Sequence, residues 1–270
     1  MAAAVDFDSD AYYEARIIAL CSAEGQLLAG SLSDAWAARL ATLLDLFEPQ
    51  EHGAWCGYAS TRIALRHCMR VAVPSQREMY DICTRDGSIK PGGSMAGGLS
   101  MAQLERIARL VALARGDLHL LSDVNGDSGA PELELVYGAA NPASDVNGAS
   151  GAPELELVYG ADRAEFEARL VSDLDRSLED GSVVLVNFLR SLGGTRGGHW
   201  SPIGGLSVPH GGGGEAYVLL LDVAAHRLGL HWVPLGLLVA CCCTLNYYGT
   251  PRGYLRVAPR GTDNAGFARC

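Results

Sequence analysis

Hydrophobic residues in the first half of the chain recur at the three- and four-residue steps of an amphipathic helix. The pattern predicts helices over residues 12–28 and 33–47, from Cys56 onward, and over 75–83 and 100–114. Pro74 bars continuation of the helix that begins at Cys56, because proline lacks an N–H and clashes with the preceding turn. The first half of the chain is therefore predicted to be largely helical.

The second half changes to short apolar runs that are typical of strands. Strands are predicted over residues 183–188, 199–203, 217–222 and 252–257, with a short helix near 234–243. Before them, Asp162 and Glu165 have the spacing of a capping box at the start of a helix that Gly181 ends. Helices first and an antiparallel sheet second is an α+β layout.

Residues 122–161 contain a near-perfect tandem duplication. The run SDVNG recurs 22 positions later, and GAPELELVYGA recurs at the same interval. Two copies are too few for a solenoid, which needs at least three. One copy of ELELVY alternates well enough for an edge strand, so one copy is predicted to pair with the sheet and the rest to form loop. We treat the segment as an insertion in a single domain over 1–270, in which 1–32 is an N-terminal extension.

Charge and hydropathy exclude two classes of partner. The net charge is −10, and residues 122–180 hold 14 acidic and 3 basic side chains, so the rest of the chain is nearly neutral. Without a basic face, nucleic acid is not an expected partner. No uninterrupted apolar run is long enough to span a bilayer, and Asp6, Asp8 and Asp10 precede any apolar segment, unlike in a secretory signal. A cytoplasmic protein without membrane contact is expected.

Cys56 stands at the start of its predicted helix, after the loop QEHGAW. A thiol in the first turn faces unpaired backbone N–H groups and the positive end of the helix dipole, which favour the thiolate. A lone cysteine in an apolar helix is more often a small buried hydrophobe. The local pattern leaves both interpretations open, and the rest of the chain must decide between them.

Strands carry two partners that a nucleophilic thiol needs. His199 opens one predicted strand and Asp222 closes the next, so antiparallel pairing would set them side by side. The imidazole would take the thiol proton, and the carboxylate would fix its tautomer. Gln50, six residues before Cys56, suits an oxyanion site together with the Cys56 N–H. The order of these residues, and the 143 positions between Cys56 and His199, fit papain-like enzymes.

The other cysteines indicate no metal site. The chain has eight cysteines and no C-x-x-C pair, so free thiols in a reducing compartment are expected. Cys241, Cys242 and Cys243 are consecutive on a predicted helix and point about 100° apart, which makes joint chelation of one ion difficult. A thiol-rich metal buffer built on these three and Cys270 is nevertheless the non-enzymatic alternative.

Four segments resemble the catalytic domain of phytochelatin synthases, the glutathione γ-glutamylcysteinyltransferases. They are EPQEHGAWCGYAS, NFLRSLGGTRGGHWSPIGGL, LLLDVAAHRLGLHWVPLGLL and RGYLRV. They follow one another over most of residues 45–258, with the duplication as an insertion. GHWSPIGG and LDVA…HWVP, in this order behind a Cys-Gly, form a highly specific combination.

The resemblance implies a papain-like fold, with an N-terminal helical part packed on a C-terminal antiparallel sheet. It implies that Cys56 attacks the Cys–Gly bond of glutathione, that His199 is base and acid, that Asp222 orients it, and that Gln50 binds the oxyanion. Substrate-contacting groups are expected at these positions: Asn187, Arg190, Arg252 and Tyr254.

The same resemblance defines the expected partners and cofactors. These are glutathione and phytochelatin peptides, in the setting of heavy-metal detoxification, and the resemblance leaves room for a homodimer. No organic cofactor is expected. Heavy-metal ions such as Cd, Zn and Cu are expected as activators, mainly as thiolates of glutathione, with no metal site on the protein.

The sequence departs from the family pattern after Asp222. The family usually has arginine three residues later, where this chain has Ala225, although His226 or Arg227 lies close by. A glutathione hydrolase that removes glycine and lets water resolve the thioester is therefore the alternative enzyme. A papain-like peptidase acting on proteins is a third interpretation, and GHWSPIGG argues against it.

Overall fold

The computed structural model describes residues 16–69, 72–87, 89, 98–113, 153–190, 197–209 and 214–259. The predictions for residues 12–15, for the first copy of the duplication and for Cys270 lie outside this part of the chain. The helices of the described residues are α1 (Ala23–Gly30), α2 (Asp34–Asp45), α3 (Cys56–Met69), α4 (Gln76–Arg85), α5 (Met101–Leu113), α6 (Arg163–Asp180) and α7 (Leu235–Cys242).

One antiparallel sheet is formed by strands from the second half of the chain and by one short N-terminal strand. Its strands are β1 (Ile18–Ala19), β2 (Glu154–Tyr159), β3 (Val183–Leu189), β4 (Gly198–Ser207), β5 (Tyr217–Leu221), β6 (Leu230–Pro234) and β7 (Gly253–Ala258). The order across the sheet is β1-β6-β5-β4-β3-β7-β2. The predicted α+β class is confirmed, and helices packed on an antiparallel sheet are compatible with a papain-like fold.

The two faces of the sheet carry separate apolar cores. On one face, α3 contributes Ile63 and Leu65 to a cluster with Leu185, Trp200 and Leu255 of the sheet. On the other face, α6 and α7 pack over a second cluster, which includes Phe166, Leu170, Val186, Phe188 and Leu238. The alternation of side chains along the strands separates these clusters. Among the helices described, none combines the length and apolar character needed to cross a bilayer.

The N-terminal region differs from the predicted helix over residues 12–28. Residues 18–19 form β1, which pairs with β6, and α1 begins only at Ala23. Ser22 ends the extended backbone because its hydroxyl accepts a hydrogen bond from the Gly25 N–H at 3.0 Å, as an N-cap does. A strand of two residues is too short to show a periodicity of its own, so the helical pattern of residues 12–28 gave no indication of it.

The sequence analysis also missed β6. The run LHWVP lies between Asp222 and the predicted helix near 234–243, and it pairs along its whole length with β5. The sequence analysis assigned residues 230–233 to no element and began the helix at Pro234, which ends this strand. Because Trp232 and Val233 are both fully buried, the strand contributes to both cores.

The second copy of the duplication forms β2. Its residues 154–159 pair with β7 at the edge of the sheet, opposite β1. The prediction that one copy of ELELVY pairs with the sheet as an edge strand is therefore confirmed. Glu156 on β2 contacts Arg169 and Arg176 of α6, which joins the edge strand to the helix that follows it.

Candidate active site

Cys56 is the first residue of α3, as the sequence predicted, and its side chain is 6% exposed. The next residue, Gly57, lets a neighbouring segment approach closely. A Cβ at Gly57 would lie 2.6 Å from Cδ1 of Leu99, so any larger residue would displace that leucine. The start of α3 is therefore enclosed by the segment that leads into α5.

The main chain of Trp200 on β4 contacts the first turns of α3 and so connects the sheet to this helix. The N–H of Trp200 contributes to lowering the pKa of the Cys56 thiol, and its carbonyl accepts a hydrogen bond from Oγ of Ser60 at 3.1 Å. The indole Nε1–H donates to the carbonyl of Leu99 at 2.9 Å. These contacts fix the position of the thiol relative to His199, the residue before Trp200.

His199 links the thiol to the carboxylate. Its Nε2 lies 2.7 Å from Oδ1 of Asp222, and its ring interacts with the Cys56 thiol, so that the pKa of the thiol falls. Because Nε2 of His199 faces Asp222, Nδ1 is the ring nitrogen that can interact with the Cys56 thiol. The Phe188 ring stands edge-on to the imidazole at 5.6 Å and limits its rotation. The structure thus brings together the three residues that the sequence analysis combined.

The electrostatics of these groups favour a thiolate–imidazolium pair. Burial raises the pKa of the Cys56 thiol, but the charge of His199 and its hydrogen bond outweigh burial and lower that pKa overall. Burial lowers the pKa of His199, whereas Asp222 and Cys56 raise it to a net value of about 9. Burial also opposes ionisation of Asp222, but His199 and Arg190 hold its pKa well below the usual range. An imidazolium beside a depressed thiol pKa is the activated form of a cysteine nucleophile.

Gln50 lies in the loop before α3. Its backbone N–H donates to the carbonyl of Val223 at 2.8 Å, directly after Asp222. Its side-chain Nε2 donates to the carbonyl of His52 at 2.9 Å, which uses one of the two amide hydrogens. The second hydrogen remains for an oxyanion, so the predicted role is chemically allowed.

Gln76 holds the same loop, and the sequence analysis did not single it out. This buried side chain accepts from the Glu51 N–H at 3.0 Å and donates to the carbonyl of Pro49 at 2.9 Å. A glutamine as the first residue of α4, after the N-cap Ser75, carries no signal for such a long-range contact. Only the packing of α4 against the loop reveals it.

Asp222 is surrounded by more than His199. The Ala224 N–H donates to Oδ1 at 2.8 Å, and Nη2 of Arg190 lies 2.9 Å from Oδ2. His231 is buried on β6 with Nδ1 4.0 Å from Oδ2. Arg190, expected to contact substrate, therefore lies against the carboxylate.

Asn187 and Arg252, both expected to contact substrate, are brought together. Nη1 of Arg252 donates to Oδ1 of Asn187 at 2.8 Å, and both side chains are buried. Gly198 makes room for this pair, because a Cβ at Gly198 would lie 1.9 Å from Nη1 of Arg252. The guanidinium therefore lies over the residue that precedes His199.

A cavity of about 700 Å³ lies beside this pair, a size in the usual range for small-molecule sites. Its walls are the start of α5, Tyr159 at the end of β2, and the loop before Arg252. The loop side contributes Tyr248, Thr250 and Pro251. Two segments that line the cavity also lie next to the site. Leu99, just before α5, packs at Gly57, and Arg252, just after Pro251, lies over Gly198.

Tyr254 does not join the group around Cys56. Its ring is fully buried under α6 and lies 5.4 Å from the ring of Phe166. Its hydroxyl donates to Oδ2 of Asp173 on α6 at 2.5 Å. This side chain therefore packs in the core under α6, and its expected substrate contact stays a prediction.

The three consecutive cysteines lie at the end of α7, and their thiols are held in the protonated form. Burial raises the pKa of Cys241 to about 12, raises that of Cys242 well above its usual value, and raises that of Cys243. Metal binding requires the thiolate. Among the described residues, no group of three His, Cys, Asp or Glu side chains is placed to hold a metal ion.

A buried thiol, an imidazole and a carboxylate are the groups that cysteine-dependent acyl transfer uses. The family model for phytochelatin synthase matches residues 11–254 of the chain, which therefore belongs to that family. The family's activity is the synthesis of phytochelatins from glutathione, by a glutathione γ-glutamylcysteinyltransferase. Among curated proteins, none matches the chain.

Proposed function

We propose that this chain makes phytochelatins from glutathione through a γ-Glu-Cys thioester on Cys56. One observation carries the proposal: His199 Nε2 lies 2.7 Å from the Asp222 carboxylate, and the imidazole lowers the pKa of the Cys56 thiol. A thiol activated in this way is a nucleophile at neutral pH. Membership in the phytochelatin synthase family supplies the donor and the product.

The first half-reaction breaks the Cys–Gly bond of glutathione. The Cys56 thiolate attacks the carbonyl carbon, and the resulting oxyanion is met by the second amide hydrogen of Gln50 and the Cys56 N–H. The imidazolium of His199 then gives its proton to the glycine nitrogen as the bond breaks. Glycine leaves, the γ-Glu-Cys acyl group remains on the sulfur, and His199 is neutral.

The second half-reaction resolves the thioester. The α-amine of a second glutathione, or of a phytochelatin, attacks the thioester carbonyl and loses a proton to His199. The tetrahedral intermediate collapses, the new peptide bond forms, and Cys56 leaves as thiolate beside the imidazolium. Asp222 stabilises that imidazolium in both halves and keeps Nδ1 directed at the sulfur.

Substrate binding is assigned to the Asn187–Arg252 pair. The guanidinium beside His199 suits a carboxylate of a γ-glutamyl peptide, because arginine binds carboxylates through two parallel hydrogen bonds. The cavity beside Pro251, the residue before Arg252, has a volume in the usual range for small-molecule sites and is lined by apolar, aromatic and neutral polar groups. We assign the acceptor to this cavity. Heavy-metal ions enter as thiolates of glutathione, and detoxification of such ions in the cytoplasm is the proposed purpose.

The direct test is mass spectrometry of the purified protein after incubation with glutathione, with and without Cd²⁺. The expected products are peptides of the (γ-Glu-Cys)₂-Gly type, absent from Cys56→Ala. Cys83→Ala is a matched control, because Cys83 is a buried cysteine on α4 whose pKa burial raises to about 12. Unchanged glutathione with the unaltered protein would contradict the proposal.

One observation favours hydrolysis of glutathione as a second candidate. Ala225 is exposed in the turn after Asp222 and replaces the arginine that the family usually has there. If the acceptor lacks this contact, water resolves the thioester instead. The same experiment distinguishes the two activities, because hydrolysis yields γ-Glu-Cys and glycine without longer peptides.

A further inference from the structure

The carboxylate of Asp222 is contacted from three strands and the turn after it. His199 on β4 and Arg190 just after β3 lie 2.7 and 2.9 Å from its two oxygens. His231 on β6 lies 4.0 Å away, and the Ala224 N–H donates from the turn. Asp222 is fully buried, and Arg190 and His199 are each 5% exposed.

The charges of the buried Cys56, His199 and Asp222 side chains do not cancel one another. With the pair ionised, Cys56 and Asp222 are negative and His199 is positive, which leaves one uncompensated negative charge. His231 does not compensate it, because burial lowers its pKa and keeps the ring neutral. Its Nδ1 lies 2.8 Å from the carbonyl of Gly229. An unpaired charge out of water is strongly unfavourable.

Among the groups that contact Asp222, Arg190 brings this sum to zero. Arg252, the other buried arginine near His199, binds the neutral Asn187 instead. The guanidinium of Arg190 spans the carboxylate, with Nη2 at 2.9 Å from Oδ2 and Nη1 at 3.4 Å from Oδ1. Its backbone is held at the end of β3, where its N–H donates to the carbonyl of Gly197 at 3.2 Å. Arginine keeps its charge when buried and matches both oxygens of a carboxylate.

We propose that Arg190 is a positioning residue: it neutralises the buried Cys56–His199–Asp222 set, so that the thiolate forms before substrate binds. This differs from the substrate contact expected from the family resemblance. It rests on the proposed function only in taking Cys56 as the nucleophile. Removing Arg190 leaves a net negative charge around the site, which favours the protonated thiol.

The test is the pH dependence of Cys56 alkylation by iodoacetamide, without glutathione, resolved by mass spectrometry of the Cys56 peptide. In Arg190→Gln, the lower midpoint is expected to move up by about one pH unit or more. At a pH on the rising limb, this is a loss of about tenfold in alkylation rate. Arg190→Lys keeps a charge and is expected to remain close to the unaltered protein.

Arg256→Gln is the matched control. Arg256 is a buried arginine on β7 that pairs with Asp180, remote from the Cys56 set, so its loss should leave the midpoint unchanged. Arg190→Met offers a second neutral variant with an apolar side chain for the buried position, if glutamine prevents folding. An unchanged midpoint in folded Arg190→Gln or Arg190→Met, with a higher KM for glutathione, would assign Arg190 to the substrate and overturn the proposal. Because no glutathione is present in the titration, its outcome does not depend on which acyl transfer the enzyme performs.

Discussion

Ser60 on α3 donates its hydroxyl hydrogen to the carbonyl of Trp200 on β4 at 3.1 Å, inside the protein. Four residues earlier on the same helix is Cys56, and one residue before Trp200 is His199. The hydrogen bond therefore joins the two elements that carry the thiol and the imidazole. Its loss is expected to affect the distance between them.

Ser60→Ala should lower both stability and turnover. A buried carbonyl that loses a hydrogen-bond partner costs about 1–3 kcal/mol, so unfolding by urea should begin at a lower concentration. The rate of thioester formation should fall while KM changes little, because no substrate contact is removed. Urea titration and single-turnover release of glycine measure the two effects. A destabilised enzyme with full turnover would show that this bond does not position the thiol.

The activity should depend on pH in a bell-shaped manner. On the acid side, protonation of Cys56 removes the nucleophile, and this limb should lie below the ordinary cysteine pKa of about 8.5, because His199 lowers the thiol pKa. On the alkaline side, activity should fall as pH rises through about 9, where His199 loses the proton that the glycine nitrogen needs. Initial rates of glycine release between pH 4 and 10 measure both limbs. An acid limb at or above the free thiol value would contradict the ion pair.

Ala225→Arg tests the departure from the family pattern. Ala225 is exposed in a turn, so the longer side chain fits without disturbing the core. If an arginine at this position binds the acceptor, the ratio of phytochelatin to free γ-Glu-Cys should rise several-fold. Ala225→Gln controls for side-chain size without charge. An equal ratio in all three proteins would show that this position does not select the acceptor.

Arg252 and Tyr254 should behave differently, although they are two residues apart. Arg252→Gln removes a charge beside His199 and should raise KM for glutathione by roughly tenfold or more, since a hydrogen bond to a charged group contributes about 1.5–3 kcal/mol. Tyr254→Phe removes only the bond to Asp173, so it should destabilise the fold by about 1 kcal/mol and leave KM unchanged. Steady-state kinetics and thermal unfolding of both variants provide the comparison. A raised KM in Tyr254→Phe would restore its expected substrate contact.

Cys242→Ala distinguishes the enzyme from a thiol-rich metal buffer. Cys242 is fully buried with a raised pKa, so the change should cost about 1 kcal/mol of stability and leave acyl transfer intact. A metal buffer built on Cys241–Cys243 would instead lose affinity for Cd²⁺. Equilibrium dialysis with Cd²⁺, beside the glutathione assay, measures both. Loss of Cd²⁺ binding with no effect on acyl transfer would give these thiols a separate role.

Local patterns in the sequence determined much of this protein. The helix that starts at Cys56, the runs that become β3, β5 and β7, and the α+β order follow from periodicity, because a buried face repeats at the spacing of its own element. The grouping of Cys56, His199 and Asp222 followed from residue chemistry together with antiparallel pairing. The edge strand β1 was not predicted, because two residues are defined as a strand only by their partner β6. The strand β6 was not predicted, because its apolar run continues directly into that of α7.

Only the tertiary structure decided which side chain each arginine and tyrosine contacts. Arg190 and Arg252 both come from segments that resemble the same family, yet one lies on Asp222 and the other on Asn187. Tyr254 lies in the core under α6, and Gln76 supports the loop that carries Gln50. Such contacts join residues far apart in the chain, and they depend on how strands and helices pack. Sequence periodicity records which face of an element is buried, but it does not record which groups meet there.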